Sequence, residues 1–154
     1  MSETIHVVGL GNVLMGDDGV GVRAVQRLEA EGGLGPGVAL VDGGTAVFDT
    51  LSPLGGGKTL IVIDAVEGGG EAGAVYRVPF EALAGSGRGG MALSLHEVGL
   101  LESLPLLELA GVRWEEVVVF GVEPGTVSTG ETLSAAVEAA LPEVAKAVKK
   151  ELSG

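Results

Sequence analysis

Three side chains carry the chemistry that this sequence offers: Asp18, Asp64 and His96. Two carboxylates and one imidazole with open positions suit a borderline divalent ion such as nickel or zinc. The alternative is bland: Asp18 caps a helix, Asp64 caps a turn and His96 lies on the surface. From spacing alone the bland reading is the stronger, because ligands from three distant segments form no local motif. The other histidine, His6, falls inside an apolar run and reads as structural.

Competing chemistries fail on particular residues. The chain has no Cys, which removes disulfides, zinc ribbons, thiol nucleophiles and iron–sulfur clusters together. Gly9-Leu10-Gly11-Asn12-Val13-Leu14 resembles a dinucleotide fingerprint, but Leu14 stands where the third glycine belongs. Asp17 and Asp18 would also repel a pyrophosphate from the helix entrance. Gly55-Gly56-Gly57-Lys58-Thr59 resembles a P-loop tail, yet Ser52 replaces the leading glycine and the loop enters a strand instead of leaving one. His96-Glu97 opens like H-E-x-x-H, but position 100 is Leu. No G-x-S-x-G elbow surrounds Ser86.

Composition narrows the class further. The 154 residues are 46% hydrophobic, which fits one domain with one core across residues 1–154. Twenty-one acids against nine bases leave a formal charge of -12, which opposes nucleic acid and anionic membrane surfaces. No apolar run approaches the roughly 18 residues of a membrane span. The opening Met1-Ser2-Glu3-Thr4 has an acid where a signal peptide carries bases, so a cytoplasmic protein is expected.

The elements that must position the three residues follow from periodicity. Residues 5–10 (IHVVGL), 38–41, 60–63 (LIVI) and 117–122 (VVVFGV) read as buried strands. Residues 74–78 alternate and read as an edge or antiparallel strand. From Asp18 onward, Val22, Val25 and Leu28 recur at helical spacing, with Asp17-Asp18 at the N-cap and first turn. A short helix is expected over residues 45–54, and Ser94-Leu95-His96-Glu97 fits a capping box opening a helix that Pro105 interrupts. Residues 131–152 form an amphipathic helix ending in lysines. Residues 85–90 (GSGRGG) read as the best candidate for a mobile loop. This order predicts an α/β three-layer sandwich, a twisted mainly parallel sheet with helices on both faces. Ligands of such sheets gather beyond the carboxyl ends of the strands. Asp18, Asp42, Asp64 and Glu123 should therefore share one edge.

Residues 9–21 (GLGNVLMGDDGVG) closely resemble the opening of the nickel–iron hydrogenase maturation endopeptidases. Asp42-Gly43-Gly44-Thr45, Ile63-Asp64-Ala65 and Ser94-Leu95-His96-Glu97-Val98-Gly99-Leu100 resemble three further stretches of that family, in order. The resemblance implies a peptidase that removes the C-terminal extension of the hydrogenase large-subunit precursor after nickel insertion. It implies Asp18, Asp64 and His96 as the metal-binding and catalytic set, with Asp18 the shorter acid where some members carry Glu. It leaves two accounts of the metal open. In the favoured one, nickel is supplied by the substrate as a recognition element, with zinc or cadmium as substitutes in vitro. In the other, the metal is a Lewis acid that polarises the peptide carbonyl or the water. The role it implies for Asp42 is site-shaping. Glu123 adds an acid to the same rim. The expected partner is the precursor alone, with the protease a monomer. The alternative is a nickel-binding accessory protein of hydrogenase assembly without peptidase activity. A spore-germination-type protease is the other enzyme reading, and its substrate would carry no nickel.

Overall fold

A computed structural model describes residues 3–84, 95–125 and 127–154. The elements follow in the order β1 (Ile5–Leu10), α1 (Val20–Glu31), β2 (Val38–Gly44), α2 (Val47–Leu51), β3 (Gly57–Ala65), β4 (Val75–Pro79), α3 (Phe80–Ala84), α4 (Leu95–Leu109), β5 (Trp114–Val122) and α5 (Ala135–Ser153). The strands form one sheet in the order β2-β1-β3-β5-β4. The first four are mutually parallel, and β4 closes one edge antiparallel to β5.

The period of two along each strand builds a core on both faces. Val7, Ile61, Ile63, Val118 and Phe120 pack under α1 and α5, through Ala24, Val25, Leu28, Val137, Leu141, Val144 and Val148. Their chain neighbours Val8, Leu60, Val62 and Val119 point the other way, under Val47 and Leu51 of α2 and Leu100 and Leu107 of α4. The expected three-layer α/β arrangement with a mainly parallel sheet is what these faces produce. Among the described residues, no helix is long and apolar enough to cross a membrane.

Glycines let the first helix approach the sheet closely enough to set the loop after β1. A Cβ on Gly21 would stand 2.0 Å from the Ile63 carbonyl oxygen and 2.4 Å from that of Leu10. Gly11, at φ +131°, lies in a region that side chains disfavour, and a Cβ there would meet the Asp18 carbonyl oxygen at 1.9 Å. The backbone contacts place Asp18 directly over the end of β1.

Several local expectations change. The helix begins at Val20 rather than Asp18, because Gly16–Gly19 forms a tighter 3-10 turn, and no side chain caps the helix at Gly19. The strands β3 and β5 begin three residues before their apolar runs, at Gly57 and Trp114. The helix expected over residues 45–54 shortens to Val47–Leu51, followed by a 3-10 turn containing Pro53. Pro105 does not interrupt α4, which runs through it to Leu109. The last helix starts at Ala135 instead of position 131. The loop at residues 85–90 and Ser94 of the capping box lie outside the described residues.

Candidate active site

Parallel pairing carries β1, β2, β3 and β5 to a common carboxyl edge, where the site assembles. Asp64 shares the alternation of Leu60 and Val62, so it faces the layer that α4 covers. His96 occupies the first turn of α4 and meets it from above. The His96 Nδ1 lies 3.4 Å from Asp64 Oδ1, and its Nε2 lies 3.9 Å from Asp18 Oδ2. The three residues named from the sequence are therefore brought together, with the imidazole between the two carboxylates.

Their environments differ. Asp64 is fully buried, whereas the Asp18 side chain keeps 20% of its surface exposed and that of His96 11%. The sequence reading of His96 as a surface residue is thus corrected: α4 packs down at its first turn, and the imidazole is largely enclosed. Asp18 also fails to cap α1. Its Oδ2 instead accepts the Asn12 amide at 2.9 Å, which folds the loop after β1 back over the site.

Asp64 Oδ1 accepts the Ala65 amide at 2.8 Å, while its buried Oδ2 has no hydrogen-bond partner among the described residues. Burial, then the adjoining Glu97 carboxyl, push Asp64 well above the ordinary carboxylate range. The Ala65 amide works against that shift, and the Asp18 charge adds to it. An enclosed oxygen without a donor, beside an imidazole and a second carboxylate, has the chemistry of a cation ligand. The residues present therefore fit a divalent ion.

Glu97 is the residue that sequence reading missed. It was absorbed into a capping box, yet its side chain is 1% exposed and sits against Asp64. Ligand atoms of Asp64, His96 and Glu97 all lie within 4.8 Å of one another. The only sequence signal was its place beside His96.

The other acids of this edge do different work. Asp17 is fully buried, and its carboxylate accepts the Ser134 amide and hydroxyl, both at 2.7 Å, and the Gly125 amide at 2.8 Å. It fastens the start of α5 to the loop after β5. Glu123, read from sequence as a rim acid, is instead 7% exposed, with one carboxylate oxygen engaged three times. Its Oε1 accepts the Gly68 amide at 2.8 Å, the Gly70 amide at 3.1 Å and the Tyr76 hydroxyl at 2.7 Å. Asp42 is exposed, and its Oδ1 accepts the Gly44 amide at 3.1 Å. The Gly44 carbonyl then accepts the Gly11 amide at 2.7 Å, so this loop braces the one that carries Asp18. His6 is buried and structural, its Nδ1 accepting the Trp114 indole N–H at 3.0 Å. Burial pushes its pKa down, which keeps it the acceptor in that bond.

Comparison with known proteins agrees with this geometry. Residues 22–151 match the family model described as hydrogenase maturation protease. The chain is 32% identical over 151 residues to the hydrogenase expression/formation protein HoxM of Cupriavidus necator, covering 95% of this chain and 74% of that protein. It is 30% identical over 151 residues to the hydrogenase 2 maturation protease of Escherichia coli, covering 95% and 91%. The chain spans little more than half, 54% and 58%, of two HupD relatives from Thiocapsa roseopersicina and Rhodobacter capsulatus. Among solved structures, the hydrogenase maturating endopeptidase HybD from E. coli superposes with a TM-score of 0.86 at 28% identity, covering 97% of this chain and 92% of that one. Motif order, sheet topology and these matches agree: the chain belongs to the hydrogenase maturation protease family.

Proposed function

We propose that this protein is an endopeptidase that removes the C-terminal extension of a nickel–iron hydrogenase large-subunit precursor after nickel insertion. Asp18, Asp64 and His96 receive the nickel that the precursor carries, and the metal serves as a recognition element. Zinc or cadmium takes its place in vitro. The observation that carries the reading is the approach of His96 Nδ1 to Asp64 Oδ1 at 3.4 Å and of His96 Nε2 to Asp18 Oδ2 at 3.9 Å, beside a buried Asp64 Oδ2 that has no hydrogen-bond partner among the described residues.

Each residue has a separate task. Asp64, held in orientation by the Ala65 amide, is the deep ligand. His96 stands between the carboxylates and fixes their spacing. Asp18, the more exposed carboxylate, is placed at the solvent side to take a proton from the attacking water. Two carboxylates and one imidazole form a weak, open site, which suits a protease that reads a metal in its substrate instead of keeping its own. The charge of -12 favours a cation-bearing or basic segment over anionic competitors. The protein acts as a monomer in the cytoplasm under this reading.

The test is a mass measurement on the precursor before and after incubation with the protein. Nickel-loaded precursor should shorten at its C-terminus, and nickel-free precursor should not. Nickel binding with no shortening of loaded precursor would leave a non-proteolytic accessory role. Efficient cleavage of the nickel-free form would refute metal-gated recognition.

A further inference from the structure

We propose that Glu97 is a fourth ligand of the metal-receiving site, a buried carboxylate that holds the cation together with Asp64 and His96. The proposal rests on the metal-receiving reading above and extends it to a residue outside the set Asp18, Asp64 and His96.

The first observation is geometric. One ligand atom from each of Asp64, His96 and Glu97 falls inside a common 4.8 Å limit. Ligand atoms bound at roughly 2.0–2.2 Å from a zinc-like ion stand about 3–4 Å apart. Closing their separations by up to about 1–2 Å brings the three to that spacing. His96 and Glu97 are consecutive in the first turn of α4, so one rigid element delivers both ligands to the β3 residue below.

The second observation is energetic. Glu97 and Asp64 are among the few buried polar side chains, at 1% and 0% exposure, and their carboxyl groups adjoin. A hydrogen bond links the two side chains, which puts a proton between the carboxyl groups, and a divalent cation would take that proton's place. The third observation concerns Asp64 alone: its enclosed Oδ2 has no hydrogen-bond partner among the described residues. A Glu that served only to cap α4 would not need to be buried beside Asp64.

The consequence is a deeper, more anionic site than two carboxylates and an imidazole provide. Asp64 and Glu97 form its floor, His96 its wall and Asp18 its solvent-side rim. Such a floor binds a divalent cation in the absence of the precursor, although weakly, because the rim stays open.

Metal binding to the full chain, made metal-free with chelator, tests this without any processing assay. The probes are NiCl2 for affinity by calorimetry and 113Cd2+ for the ligand set by cadmium NMR. Glu97→Gln, which preserves shape, should weaken the Kd for Ni2+ at least tenfold and move the 113Cd resonance. Glu102→Gln, an exposed acid on the same helix, should change neither. Glu97→Gln binding within twofold of the unmodified protein, with an unmoved 113Cd resonance, would overturn the assignment and leave the metal-receiving reading intact. If the unmodified protein binds neither ion at millimolar concentration, the four-ligand site is overturned, while the metal-receiving reading stands or falls on the shortening of nickel-loaded precursor. Should Glu97→Gln melt early, Glu97→Asp carries the same test, since it keeps the charge and withdraws the oxygens by one methylene. Weaker binding by that variant is the expected result, and unchanged binding the contrary one.

Discussion

Asp17 and Asp18 are consecutive residues of one 3-10 turn, and they do opposite things. Asp17 turns toward the α5 layer, where three donors from Gly125 and Ser134 satisfy it completely. Asp18 turns toward α4, where its Oδ2 lies 3.9 Å from His96 Nε2. Glu123 follows the first pattern, held by two amides and a hydroxyl, and Asp64 follows the second, with an oxygen that has no hydrogen-bond partner among the described residues. A buried acid that meets enough donors is part of the frame. A buried acid that meets another acid and an imidazole is poised for a cation. The carboxyl edge holds both kinds within a few residues, so exposure and residue type alone do not separate them.

The sharpest break in this comparison comes from Asp64→Asn. Processing of nickel-loaded precursor should fall roughly 10³-fold, about 4 kcal/mol of transition-state stabilisation. The fold should nonetheless become more stable at neutral pH in metal-free buffer. The folded-state pKa of Asp64 is raised, so its favourable contribution is complete below the ordinary carboxylate range and is lost as pH rises through the folded value. The gain in Tm from Asn should therefore be largest at neutral pH and vanish as pH falls below that range. A lower Tm at every pH would place Asp64 among the frame acids.

Asp17→Ala should do the reverse. Losing three charge-assisted bonds to buried donors should cost about 3 kcal/mol, a Tm drop of roughly 6–12 °C by calorimetry. Ni2+ affinity should stay unchanged at temperatures where the variant is folded. A smaller version is Glu123→Gln, which keeps an acceptor for Gly68, Gly70 and Tyr76 but loses the charge. About 1 kcal/mol by urea unfolding is expected, with processing unaffected.

The smallest effect lies away from this edge, in the exposed Arg77–Glu151 pair that joins β4 to α5 at 2.8 Å. Arg77 lowers the pKa of Glu151, so the pair stabilises above the ordinary carboxylate range and its contribution fades as pH falls through the lowered value. Arg77→Ala should cost under about 1 kcal/mol and less in high salt.

Much of the fold was legible because strands here are β-branched runs buried on both faces. Ile5–Leu10 and the apolar centre of β3 could be nothing else, and Val22, Val25 and Leu28 mark α1 by their spacing. Boundaries were less legible. Lys58 and Thr59 lie within β3 although they are not apolar, and the tight turn at Gly16–Gly19 takes the place of the expected cap. Asp18, Asp64 and His96 were legible through ordered motifs and not through spacing, which favoured separate structural roles. Asp17 was illegible because its partners lie 108 and 117 residues away. Glu97 was illegible for another reason: a capping box explains Glu at that position so well that nothing in the sequence asks whether it is buried.

The account turns on the imidazole between the two carboxylates, and a paired comparison of His96→Ala with His6→Ala tests it most directly. Both proteins should be checked for folding by their Tm, since both histidines are largely enclosed. Each is then incubated with nickel-loaded precursor and the precursor is weighed by mass spectrometry. Folded His6→Ala should still remove the C-terminal extension, having lost only the partner of Trp114, whereas folded His96→Ala should leave the precursor at full length. Removal of the extension by His96→Ala at the unmodified rate would contradict the account.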